Sequence, residues 1–139
     1  MIEFHYELEF TLKDTPKYIT WIQGICASEG FAVKELNYIF CDDRYLLEIN
    51  KKYLNHDTFT DIITFDYTEN TFVSGDIYIS IERVAENSLT YGVSLENELL
   101  RVMAHGVLHL MGFKDKGDEH IALMRKKEEE KINLFHVEQ

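Results

Sequence analysis

One proline, Pro16, and two cysteines, Cys26 and Cys41, are all that the 139 residues contain of the residue types that stiffen or staple a chain. The two cysteines stand far apart and outside any C-x-x-C spacing, so neither a disulfide scaffold nor a cysteine-built zinc ribbon is available, and a reducing, cytoplasmic setting is expected. The N-terminus lacks the basic stretch and apolar core of a secretory leader. No apolar run approaches the roughly 20 residues of a membrane span, so no membrane partner is expected. Positive charge is also scarce: 14 Lys+Arg face 25 Asp+Glu, a formal net charge of −11. The field of the whole molecule would therefore repel a polyanion, and any nucleic-acid contact must rest on a local site. Without repeats, low-complexity tracts or a Pro/Gly/Ser-rich linker, residues 1–139 read as one domain.

What is present is a core-forming sequence, 45% hydrophobic. Ile2, Phe4, Tyr6, Leu8 and Phe10 alternate with polar residues, predicting a strand over 2–10 with one wet face. Thr15-Pro16 supplies an N-cap and a first helical position for a helix over 16–29. A strand over 36–41 follows, then a helix capped by Asp42 or Asp43 and ending near Asn55. The β-branched and aromatic segments 62–65 and 77–81 are close enough in sequence to form an antiparallel pair. Helices are predicted over 82–90, 95–111 and 119–135, with Ser94 capping the second and Gly112 stopping it. This order describes an α+β domain, α/β-like in part: a mixed four-stranded sheet with one antiparallel pair, covered by about five helices.

The chemistry concentrates in His105-Gly106-Val107-Leu108-His109-Leu110-Met111-Gly112-Phe113-Lys114-Asp115. Residues four apart share a helix face, so His105 and His109 can direct two imidazoles at one ion. An H-x-x-x-H pair alone is more often chance than a site. Here the pair is embedded in Met103, Val107, Leu108, Leu110 and Met111, where imidazoles without partners would be costly to desolvate. Gly112 tolerates the positive φ that lets the chain double back over the same face. That return offers two third ligands, Asp115 and His120. A metzincin protease has a similar spacing but carries a glutamate base after its first histidine, and this chain has Gly106 there, so peptide hydrolysis is disfavoured.

The stretch His105–Gly112, H-G-V-L-H-L-M-G, resembles the helix motif H-G-x-L-H-L-x-G-Y-D-H of the YbeY endoribonucleases, also described as rRNA maturation factors. Upstream, Asn50, Tyr53, Asp57, Thr60, Asp61 and Phe65, then Gly75-Asp76-Ile77, are similar to that family's N-x-x-Y-R-x-x-D-x-x-T-[DN]-V-L-S-F and G-D-I blocks in order and spacing. The likeness runs from about Leu46 to Asp115. Two positions depart from it. Asp115 stands where the family has its third histidine, and Leu54 replaces an arginine suspected of holding a phosphate.

The resemblance implies a zinc-dependent, single-strand-specific endoribonuclease of ribosomal RNA processing and ribosome quality control, with ribosomal RNA and the small subunit as partners and a metal site on a central helix. One Zn²⁺ per chain would sit on His105, His109 and Asp115, or on His120 in place of Asp115, with a fourth position left for water. Arg44, Lys51, Lys114 and Lys116 are candidate replacements for the missing arginine, and Thr60 and Asp61 fall in a block the family places near its site. The acidic residues are expected to gather elsewhere, on Glu128-Glu129-Glu130 and on the Glu3, Glu7, Glu9 face. A ribosome-assembly factor that keeps the metal for structure and cuts nothing is the alternative reading.

Overall fold

A computed structural model describes residues 1–137. The elements run β1 (Ile2–Tyr6), α1 (Thr15–Ser28), β2 (Ala32–Cys41), α2 (Asp43–Leu54), β3 (Ile62–Asp66), β4 (Phe72–Ser80), α3 (Ile81–Tyr91), α4 (Leu95–Leu110) and α5 (Asp118–Val137). The sheet order is β1-β2-β4-β3. β1 and β4 both run parallel to β2, while β3 pairs antiparallel with β4. The expected mixed sheet, its single antiparallel pair and the five helices are all present.

Four boundaries differ for physical reasons, the first being β4, expected over 77–81 and found at Phe72–Ser80, since its polar residues Ser74, Gly75 and Asp76 pair with β2 and Ile81 opens α3. β1 stops at Tyr6, opposite Phe40, because its neighbour β2 ends one residue later and the chain there turns into α2. Leu8 and Phe10 keep the apolar alternation but pack on the core from a bent segment. β2 begins at Ala32, earlier than its hydrophobic pattern suggests, since Lys34 and Glu35 lie where the register with β4 shifts between Val33 and Glu35. α1 is capped by Asp14 in the left-handed region, without a side-chain cap bond, so Thr15 is inside the helix rather than its cap. Ser94 and Asp42 cap as expected, accepting from Asn97 N at 3.0 Å and Tyr45 N at 2.8 Å.

The two faces of the sheet are unequal. The main core lies on one, where Leu36, Tyr38, Phe40, Ile77 and Ile79 meet α1 and α4, on which α5 packs in turn. On the other, α2 covers a small cluster of Cys41, Leu46 and Ile63. α4 is the central helix: Leu99, Leu100, Val102, Met103, Val107, Leu108 and Leu110 are all buried, and Tyr38 Oη donates to Met103 O at 2.9 Å. At its closest approach to the sheet stands Gly106, where a Cβ would lie 2.9 Å from Ile77 Cγ2 and 3.0 Å from Ile62 Cδ1.

One turn further along α4, the sheet meets Leu110 at Gly75, whose Cβ would overlap the Phe65 carbonyl oxygen. An alanine at 106 meets side chains that can shift, and overpacking of about 1–3 kcal/mol is partly offset by the roughly 1 kcal/mol that alanine gains over glycine in a helix. An alanine at 75 meets backbone, which moves only if the β3–β4 ladder is disturbed. Urea denaturation should therefore rank Gly75→Ala as the more destabilised variant, and the reverse order would place the tightest contact elsewhere.

Candidate metal centre

Adjacent side chains of β3 point to opposite faces. Ile63 and Phe65 go to the α2 side, while Ile62 and Thr64 line a cavity of about 310 Å³ between β3 and α4. Thr60, Asp61, Arg101, Val102, His105, His109 and Asp115 complete its wall. His105 and His109 come from consecutive turns of α4, with ring centroids 4.7 Å apart and ring planes at 78°. Gly112, at φ 97°, ends that helix, and the loop behind it carries Asp115 back over the same face. Asp115 Oδ2 lies 3.3 Å from His105 Nε2 and 3.2 Å from His109 Nε2. One donor atom from each of the three residues falls within 4.8 Å of the others, so the group could hold a metal ion.

The donor set suits a small borderline cation. Three ligand atoms each about 2.1 Å from a tetrahedral ion are separated by about 3.4 Å. The two spacings to Asp115 are close to that value. Burial alone would raise the Asp115 pKa, but its hydrogen bond to His109 and the charge of both imidazoles outweigh burial and hold the carboxyl below its usual value. His120, the other third-ligand candidate, is exposed on the first turn of α5, with Nδ1 2.9 Å from Lys116 O and outside the group.

Behind the histidines lies a polar network that includes a residue expected at the surface. Glu128 was expected on a solvated acidic face, yet its side chain is only 2% exposed and Oε2 sits 2.6 Å from His105 Nδ1. Only Glu129 and Glu130 of that run face solvent. Glu128 falls on the buried stripe of α5 with Met124, Lys131 and Phe135, a helical spacing that was readable beneath the charge run. Arg101 Nη1 donates to Glu128 Oε1 at 3.3 Å, and its Nε and Nη2 fork onto Glu98, the shortest contact being 2.6 Å. Arg101 also approaches Asp61 Oδ2 at 3.8 Å. Burial would lower the Arg101 pKa, but Glu98 and Glu128 more than reverse that and fix its charge. Burial pushes the Asp61 pKa up, with Arg101 and His105 opposing.

Arg101 is thus the cation that lines the cavity, and it was missed although it stands four residues before His105 on the same stripe. The four cations singled out from the sequence do not line the cavity. Arg44 borders a groove on the α2 side with Tyr45, Tyr53 and Tyr78. Lys51 pairs with Glu48 and Asp57. Lys114 and Lys116 flank Asp115 on the loop, both exposed.

Replacing Arg101 by Leu would leave Glu98 and Glu128 buried without their counter-charge. Breaking one partner out of a buried ion cluster costs about 3–5 kcal/mol. Arg101→Lys, which keeps the charge but not the fork, should lose less. Denaturation curves of the two variants check this, and equal losses would mean that charge is not what Arg101 contributes.

A family model described as Endoribonuclease YbeY matches residues 4–136. Curated proteins named Endoribonuclease YbeY are similar over the full chain: that of Flavobacterium psychrophilum is 56% identical, covering 100% of this chain and 99% of its own. That of Flavobacterium johnsoniae is 55% identical, covering 100% of both. The solution structure of TM1509 from Thermotoga maritima superposes with a TM-score of 0.70 at 28% identity, covering 99% of this chain and 91% of that one. Matched from its first strand to its last helix, the chain belongs to the endoribonuclease YbeY family.

Proposed function

We propose that this chain is a zinc-dependent endoribonuclease that cuts single-stranded ribosomal RNA during maturation and quality control of the small ribosomal subunit in the cytoplasm. The observation that carries the reading is the convergence of His105, His109 and Asp115 in an open cavity of a chain from this family. A zinc ion held there would supply Lewis-acid polarisation of a phosphoryl oxygen and acidify water, so hydrolysis would not need the carboxylate base that Gly106 leaves absent.

The protein's own groups do the rest. His105, His109 and Asp115 would hold the ion through two nitrogens and one oxygen. Asp61 is the one carboxyl in the cavity wall outside that triad, and its raised pKa suits it to hold a proton beside the reacting phosphate. Phe59, 57% exposed next to Thr60, offers a ring on which an unpaired base can stack. A duplex keeps its bases stacked on each other and cannot use that ring.

The test joins metal analysis to a cleavage assay on single- and double-stranded fragments of ribosomal RNA. Wild type should carry about one zinc per chain and cut the single strand. His109→Ala and Asp115→Asn should lose zinc and activity together, while His120→Ala keeps both. Zinc retained in Asp115→Asn and lost in His120→Ala would move the third ligand, and a zinc-loaded protein that cuts nothing would favour a binding factor.

Lys114 and Lys116 are the exposed cations nearest the triad in sequence, and we assign them to phosphate binding. Replacing both by Ala should weaken single-strand binding and flatten the plot of log affinity against log salt by about 0.7 for each phosphate no longer neutralised. An unchanged slope would remove them from the RNA path.

A further inference from the structure

Imidazole has two nitrogens, and a metal ligand can use only one. In His105 they face different worlds: Nε2 lies 3.3 Å from Asp115 Oδ2 at the cavity, and Nδ1 lies 2.6 Å from Glu128 Oε2 in the interior. Glu128 reaches this place from another helix, 23 residues further along the chain. Its second oxygen is held by Arg101, which Glu98 holds in turn at 2.6 Å. Both glutamates are 2% exposed, so neither oxygen is free to swing toward water.

We propose that Glu128 is a positioning residue for the metal centre. It accepts the Nδ1 proton of His105, which fixes the ring's rotation and leaves the Nε2 lone pair aimed at the site. A carboxylate behind a ligating imidazole also raises its basicity, and such partners are worth about 10–100-fold in metal affinity. Stability alone is a poor reason for the charge, because a buried ion pair is often no better than apolar packing and the neighbours of Glu128 on its stripe include Met124 and Phe135. Arg101 and Glu98 act one step further out, by holding the carboxylate still. This proposal rests on His105 being a ligand, which the experiment tests separately.

Zinc affinity is measured by competition with a chromophoric chelator for the full chain, for Glu128→Gln, for Glu128→Ala and for Glu130→Gln, an exposed position on the same helix. The expected dissociation constant rises about tenfold for Gln, which keeps an acceptor but loses the charge, and toward 100-fold for Ala. Glu130→Gln stays at the wild-type value. Long-range ¹⁵N–¹H spectra of the zinc-loaded wild type should show His105 protonated at Nδ1, with that proton protected from exchange, and Glu128→Ala should lose the protection while His109 signals stay in place. A loss of packing would not move this signature selectively. If Glu128→Ala does not fold, the glutamine variant and the wild-type spectrum decide. Wild-type affinity in Glu128→Gln with an unaltered Nδ1 proton, or ligation of His105 through Nδ1, overturns the proposal. Zinc binding that survives His105→Ala unchanged overturns both it and the centre on which it rests.

Discussion

Everything at the centre depends on how low α4 lies on the sheet. Successive residues of a helix are turned by about 100°, so if Gly106 faces the sheet, His105 and His109 both fall on the flank beside that contact, and Arg101 a little further round. Because Gly106 has no side chain, that flank is brought down to β3, an edge strand, and the crevice between helix and strand becomes the cavity. Raise the helix by the width of a methyl group and the crevice opens under the histidines. The glycine that denies the site a glutamate base is thus the residue that seats the metal-holding face. One position answers both the packing and the choice of chemistry.

The elements that meet at the centre come from distant parts of the chain. β3 supplies one wall, α4 the imidazoles, the loop after Gly112 the carboxylate, and α5 the glutamate behind His105. Such a site forms only with the complete tertiary fold. Its interior is electrostatically expensive: Glu98, Glu128 and Asp61 surround a single guanidinium, and half-satisfied buried carboxylates are costly. Arg101 is what makes the cluster tolerable, by engaging Glu98 and Glu128 at hydrogen-bond distance and Asp61 at longer range. The ligand set and the stability of the fold are therefore coupled through one side chain.

The local part of this design could be read from the sequence. The i, i+4 histidines, the glycine stop and the returning aspartate are short-range features, and the helices came out at nearly their observed bounds, whereas the alternation of 2–10 outran its strand by four residues. What stayed hidden had specific causes. The first part of β2 carries Lys34 and Glu35 across a register shift, so alternation fails where the strand continues. Arg101 obeys the same helical rule as the histidines, but the cations beside Asp115 and near the motif broken by Leu54 are the more conspicuous ones. Glu128 was masked by its neighbours: in K-K-E-E-E-K every residue looks solvated, and only the spacing to Met124 and Phe135 marks one member of the run as buried. Contacts between helices that are far apart in sequence leave no local trace.

The acidity of the molecule then acquires a reason. A chain of net charge −11, whose cavity wall sets Asp61 and Asp115 against Arg101, is a poor host for a phosphodiester and a good one for a divalent cation. Two carboxyl groups face one guanidinium on that wall, and a dication held by the triad would offset their charge at the one point where a phosphate must come close. In such a protein a metal would be more than a catalyst, because it would decide where on an otherwise repulsive surface a polyanion can settle. Weak binding elsewhere follows from the same charge balance, and so does confinement of the strand to the cavity and the loop beside it. An acidic protein that acts on RNA is consistent on these terms: repulsion over the surface keeps the strand from adhering at random, and the cation marks the place where it is held.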